Sequence, residues 1–387
     1  MTRLEDMVGA AVRDLADSAP NAHDLASVAR VRGRRIRRRR QALLGAAAVV
    51  LAGAVITPYA VLDGWNGGPR PQPVASVPPS TAPVVPVPST VATAPAIRKD
   101  WWAAPVRLPG DLVVTSVGRR EVNGPNGVTA VAPKTVQEGN VALDRSTGRY
   151  RAFSGGYQGF DGAPAGRYVM TDDGITAQIG ILDSVTGQTR QLGHGSGRGV
   201  EWSADGKTLL LSLLRGGVRL IDAKTGAAVD REMPDAIALC PSYCNFTWLP
   251  GGEEIAIAQR DPRVERSEAL PDTVRDIRVF SVATGKPLRT LPVPGVPAGS
   301  AAWSPDGRYV ALLPDAAEED GIRIAEVATG RIVATLPLVE QVRFIADDQI
   351  LTVRGLDVGV YDLTGKLRQS SRLPQDFLGR GISLGRA

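Results

Sequence analysis

The chain has 387 residues, 43% of them hydrophobic and 22% charged, a balance that excludes a disordered or fibrous protein and supplies enough apolar surface for one large folded domain. Its net charge of +5 is uneven, because residues 1–40 hold ten arginines against five acidic residues and the remainder is neutral. Nucleic-acid binding needs clustered Lys and Arg; here the cluster adjoins a hydrophobic segment, so a membrane surface is the expected anion and no nucleic-acid partner is expected.

Residues 1–40 are predicted to be a basic, helical cytoplasmic segment. Thr2 and Glu5 stand at capping-box spacing, and Leu4, Val8, Val12 and Leu15 form an amphipathic stripe. Asn21 with Asp24 starts a second helix that runs through Leu25 and Val28 into the arginines. Such a pair suits an anionic leaflet, or a cytoplasmic partner.

Residues 41–62 are predicted to be a transmembrane helix. Ala42 to Leu62 contain no charge, over a length that matches a bilayer core. The arginines at 32–40 precede it directly, so the amino terminus stays inside and everything after the span is exported. The alternative is a cleaved signal peptide of twin-arginine type at Arg39-Arg40; the long leading region and the lack of a small-x-small site stand against it.

Residues 63–99 carry nine prolines between positions 68 and 98 and no helical or alternating pattern. At about 3.1 Å per residue in polyproline geometry, this linker makes a stalk of up to roughly 95 Å.

Residues 100–387 repeat a unit of about forty residues. Thr-Gly recurs at Thr147-Gly148, Thr186-Gly187, Thr225-Gly226, Thr284-Gly285, Thr329-Gly330 and Thr364-Gly365. A second signal precedes most of them: Trp202-Ser-Ala-Asp205-Gly206-Lys207, Trp303-Ser-Pro-Asp306-Gly307-Arg308 and the variant Trp248-Leu-Pro-Gly-Gly-Glu253. In these turns Asp bonds its own backbone and Gly takes positive φ. Each unit holds four strands, and the tryptophans stand at equivalent inner-strand positions where blade-to-blade packing explains them. The predicted fold is an all-β propeller of six blades, or seven if residues 101–109 and the tail form one more. The closing strand at 381–385 is expected to complete the first blade and remove a free sheet edge.

Trp303 to Leu313 and Trp202 to Leu211 resemble the repeats of TolB-like and WD40-like propellers, and the resemblance covers about residues 105–387. WD40 blades carry Gly-His and Trp-Asp pairs; here one Gly-His occurs, at Gly193-His194, and no Trp-Asp, so the TolB-like side is nearer. The layout of basic segment, span, stalk and propeller is similar to bacterial membrane-anchored propellers, often actinobacterial. The resemblance is specific for fold and nearly silent on function.

In a four-stranded blade the two tight turns lie on one face, and the longer loops lie on the other. The insertions 119–138, 233–244, 260–275 and 314–321 all fall on the second face, where irregular loops on a rigid scaffold carry function. Arg260, Arg263, Glu265, Arg266 and Asp272 are the candidate binding rim. Asp315, Glu318, Glu319 and Asp320 offer oxygens for a metal, in a spacing that matches no calcium loop. Cys240 and Cys244, exported and spaced C-x3-C, are expected to form a loop disulfide.

Catalysis has little to draw on. His194 is the only exported imidazole, and no nucleophile elbow, P-loop or dinucleotide fingerprint is present. The expectation is a single-pass cell-membrane protein with an extracellular propeller. It would act as a non-catalytic scaffold or sensor for an exported protein, a cell-wall component or a small ligand, with no cofactor. The alternatives are an enzyme working at the tunnel mouth and a signalling regulator acting through residues 1–40.

Overall fold

The recurring turns fall where antiparallel strands reverse, and the strands between them assemble into separate sheets around one axis. The computed structural model describes residues 92–93 and 100–387 except 125–126, 131–138, 154–156, 173–177, 195–196, 214–215, 234–235, 237, 242–244, 268–271 and 315–320. The predicted cytoplasmic helices, the span at 41–62 and all of the stalk but Ala92–Thr93 lie outside the described residues. Among the described residues no helix is long and apolar enough to cross a membrane.

The order begins with β1 (Ala92–Thr93), β2 (Arg107–Leu108), β3 (Leu112–Gly124), β4 (Gly127–Ala130), β5 (Asn140–Asp144) and β6 (Arg149–Phe153). The second blade is β7 (Gly159–Gly162), β8 (Tyr168–Asp172), β9 (Gln178–Asp183) and β10 (Thr189–His194); the third is β11 (Gly197–Trp202), β12 (Thr208–Leu213), β13 (Gly217–Asp222) and β14 (Ala228–Glu232). The fourth is β15 (Thr247–Trp248), β16 (Glu254–Arg260), β17 (Val274–Ser281) and β18 (Pro287–Leu291). The fifth has β19 (Tyr309–Leu312), β20 (Ile322–Glu326) and β21 (Ile332–Leu336), and the sixth β22 (Gln341–Ala346), β23 (Gln349–Arg354), β24 (Asp357–Asp362) and β25 (Leu367–Arg372). The last strand, β26 (Arg380–Arg386), pairs antiparallel with β3 from Arg386↔Leu112 to Arg380↔Arg120. The chain's end is therefore the innermost strand of the first blade, the ring closes, and the count is six.

Four elements depart from the expected pattern. Residues 101–109 build no seventh blade but a 3-10 turn at Trp101–Ala103 and the two-residue β2. Part of the expected loop 119–138 is a hairpin, because β3 continues to Gly124 and β4 folds back on it from Glu121↔Ala130. The fifth blade has no regular inner strand: Gly299 adopts φ +105 and opens a 3-10 turn at Ser300–Ala302. Only the isolated bridges Pro297↔Leu312 and Trp303↔Val310 remain there. Finally, β1 adds to the outer edge of the sixth blade, parallel to β25 through Ala92↔Gln369, which covers an edge otherwise open to pairing.

The turn chemistry explains why the motif recurs. Ser304 Oγ donates to Asp306 Oδ1 at 2.6 Å and accepts from Tyr309 N at 2.9 Å, while Arg308 N reaches Asp306 Oδ1 at 3.0 Å. Ser203, Asp205 and Lys207 repeat the arrangement at 2.7 and 3.0 Å. Gly206 and Gly307 take φ of +67 and +72, which side chains resist. Each Thr-Gly turn also depends on the residue closing the strand before it: Asp222 Oδ1 accepts Thr225 N at 2.6 Å, and Asp362 Oδ1 accepts Thr364 N at 2.8 Å.

Between blades the core is apolar. Trp202 packs with Ala163, Met170 and Ile181 of the second blade, Trp248 with Leu210 and Val218 of the third, and Trp303 with Ala256, Ile277 and Val279 of the fourth. Burying such side chains contributes upwards of about 2 kcal/mol each. Their indoles also reach backward to the neighbouring inner strand. Trp202 Nε1 donates to Asp161 O at 3.1 Å, Trp248 Nε1 to Glu201 O at 3.3 Å, and Trp303 Nε1 to Thr247 Oγ1 at 3.1 Å.

Candidate functional site: an axial channel and a loop face

Strand alternation decides what lines the axis. Where an inner-strand aromatic turns into the interblade core, the residue before it turns the other way. Asp161, Glu201, Thr247, Ala302 and Arg343 hold this position, each five residues before its turn, as Asp161 stands to Gly166 and Glu201 to Gly206. Asp161, Glu201 and Arg343 line the axis from this position, whereas Thr247 accepts the Trp303 indole and Ala302 is buried in the apolar core. The inner strands enclose a channel of about 530 Å³ whose wall includes Asp161, Glu201, Ser300, Gln341, Arg343 and Ser383.

Its charged groups are held from several blades. Ser383 Oγ of β26 donates to Asp161 Oδ1 at 2.6 Å, and the same hydroxyl accepts from Gly162 N and from Ser116 Oγ, both at 2.9 Å. Burial raises the Asp161 pKa, partly offset by the Ser383 hydrogen bond and the Arg343 charge. The Glu201 carboxylate reaches the fifth blade, where Oε2 accepts Ser300 N at 3.0 Å. Burial pushes Glu201 up to about 7, with Ser300 opposing and the Asp161 charge adding to the rise. On the sixth blade, Arg343 Nη1 donates to Leu384 O at 2.6 Å and Gln341 Nε2 to Ile382 O at 2.6 Å, which ties β22 to the closing strand. Burial, with the neighbouring Arg386 charge, lowers Arg343 to about 10.

The face of tight turns is not featureless. Pro164, Ala204, Pro250 and Pro305, one from each of four turns, belong to the channel wall, so the turns that repeat most plainly in the sequence also surround an opening.

On the opposite face two of the candidate rim residues reach the neighbouring insertion. Arg260 N donates to Leu239 O at 2.7 Å, and Arg266 Nη2 donates to Cys240 O at 3.1 Å, so the insertions 233–244 and 260–275 are joined. Arg266 also faces Asp272 at 3.8 Å. Arg263 pairs with Asp261 at 2.8 Å, and its guanidinium and amide hold Asp261 at about 2. Glu265 is exposed. Cys240 is buried beneath this surface with Phe246 and Trp248, while its expected partner Cys244 lies outside the described residues. So do Asp315, Glu318, Glu319 and Asp320. Among the described residues no group of three or more His, Cys, Asp or Glu side chains is placed to hold a metal.

No family model matches the chain, and no curated protein is similar to it. The channel residues Asp161, Glu201, Arg343 and Ser383 are absent from the sequence-based candidates. Glu201 and Arg343 each precede an inner-strand aromatic, Trp202 and Phe344, whereas Asp161 precedes Gly162 and Ser383 precedes Leu384. Only ring closure, however, brings positions hundreds of residues apart to one axis.

Proposed function

We propose that the chain is a membrane-anchored, extracytoplasmic propeller of the TolB-like kind, acting as a non-catalytic binding scaffold or sensor. Residues 1–40 lie inside, 41–62 span the membrane, and 63–99 form the stalk that holds the propeller away from the surface. The partner, an exported protein, a cell-wall component or a small ligand, docks on the loop face.

One observation carries this reading: the two insertions of the fourth-blade region are cross-linked by Arg260–Leu239 and Arg266–Cys240. The result is a built surface rather than separate loops, and a preordered loop face binds at lower entropic cost. A Cys240–Cys244 disulfide belongs to the same reading, as a clamp on the base of that surface. The test is in-cell crosslinking of the full chain beside a variant in which residues 260–275 are replaced by a short Gly-Ser turn. Loss of the specific partners supports the loop face; an unchanged set overturns it.

A catalytic reading has one specific foothold, the pair of channel carboxylates with raised pKa values. It requires a turnover that Glu201→Gln abolishes.

A further inference from the structure

Asp161, Glu201, Arg343 and Arg386 belong to the channel wall. Asp161 and Glu201 come from the second and third blades, and Arg343 and Arg386 from the sixth blade and the closing strand of the first. In a closed ring of six, the third and sixth blades stand opposite one another, so Glu201 and Arg343 enter from opposite walls. Asp161 and Glu201 repel each other, as do Arg343 and Arg386, while Arg343 attracts Asp161. Arg343 answers part of the Asp161 charge, Glu201 is met by the Ser300 amide, and Arg386 stands exposed at the channel's edge.

The anchoring bonds leave room for a ligand. Ser383 engages one oxygen of Asp161, Ser300 N engages one oxygen of Glu201, and Arg343 commits Nη1 to the Leu384 carbonyl. These contacts orient the groups from the rear. A cavity of about 530 Å³ lies within the usual range for small-molecule sites, roughly 300–1,000 Å³, and far exceeds the needs of a bare ion.

We propose that the axial channel binds a small zwitterion of the amino-acid or dipeptide class, with its ammonium between Asp161 and Glu201 and its carboxylate against Arg343 and Arg386. A primary ammonium presents three donors to the two carboxylates, and a guanidinium matches a planar carboxylate with paired donors. A ligand carrying both charges relieves both repulsions at once. A simple amine would leave the arginines facing each other, and a simple acid would leave the carboxylates so. Blades one, two, three and six supply the recognition, which makes the site independent of the loop face.

The experiment measures the thermal midpoint of the detergent-purified full chain with three probe pools. These are free L-amino acids with their simple dipeptides, the N-acetylated forms, and the C-terminal amides. The free pool should raise the midpoint, and the two blocked pools should not. Glu201→Gln and Arg343→Gln should each weaken the response by about tenfold or more in ligand concentration, the scale of one charge-assisted contact. Arg343 also holds a wall, so Arg386→Gln, at the exposed chain end, is the companion variant and should weaken the response without changing the circular dichroism spectrum. No shift with the free pool overturns the proposal, as does an equal shift with either blocked pool or a response that survives in Glu201→Gln and Arg386→Gln. Replacing the 260–275 loop should leave the response intact, so failure here and failure of the loop-face reading are separable.

Discussion

Replacing Glu201 with glutamine should stabilise the protein at alkaline pH and do little in acid. The side chain's carboxyl ionises near 4.5 when free and at about 7 in the channel, so between these values the folded protein keeps a proton that the unfolded chain has released. Stability from this group is therefore full below about pH 4.5, falls as pH rises through 7, and is lost above it. Moving the equilibrium from 4.5 to about 7 corresponds to about 3 kcal/mol, at roughly 1.4 kcal/mol per tenfold change. The substituted amide would keep an oxygen to accept Ser300 N but could not ionise. Urea titrations followed by tryptophan fluorescence should then show nearly equal midpoints for variant and wild type at pH 4. By pH 8.5 the variant should be ahead by up to about 3 kcal/mol. Parallel pH profiles for the two proteins would refute the reasoning. Asp161 is raised in the same direction, so Asp161→Asn should flatten the wild-type profile further.

Deleting residues 380–387 removes the strand paired along β3 and should convert a monodisperse species into aggregates on size exclusion, since β3 becomes a free edge. Gly330→Ala should cost more than Gly307→Ala in thermal denaturation. Both glycines have φ near +70, but a Cβ at 330 would meet Pro292 O and one at 307 meets nothing within 4 Å; about 1 kcal/mol is expected at 307 and well above that at 330. Ser304→Ala orphans the Tyr309 amide and removes one of the donors to Asp306, with an expected loss of about 1–2 kcal/mol in chemical denaturation.

Repeat spacing and turn chemistry made the propeller legible, because Gly206 and Gly307 need positive φ wherever they stand and the serine and aspartate beside them satisfy the turn locally. The irregular fifth blade was harder to foresee. Its Trp303-Ser-Pro-Asp-Gly motif is the clearest in the chain, yet Gly299 turns the backbone just before it and no regular inner strand forms. The rim residues are neighbours in one stretch of sequence, but the bond from Arg266 to Cys240 crosses to another insertion and depends on how the blades are set. The channel was least visible, since Asp161, Glu201, Arg343 and Ser383 belong to four blades and carry no local motif.

By itself the sequence determined what local chemistry can determine: a repeat of strands and turns and a charge asymmetry confined to residues 1–40. Ring closure decided the rest. Joining β26 to β3 sets six inner strands around one axis, where residues that are solvated neighbours of nothing in the unfolded chain become buried charges facing one another across a channel.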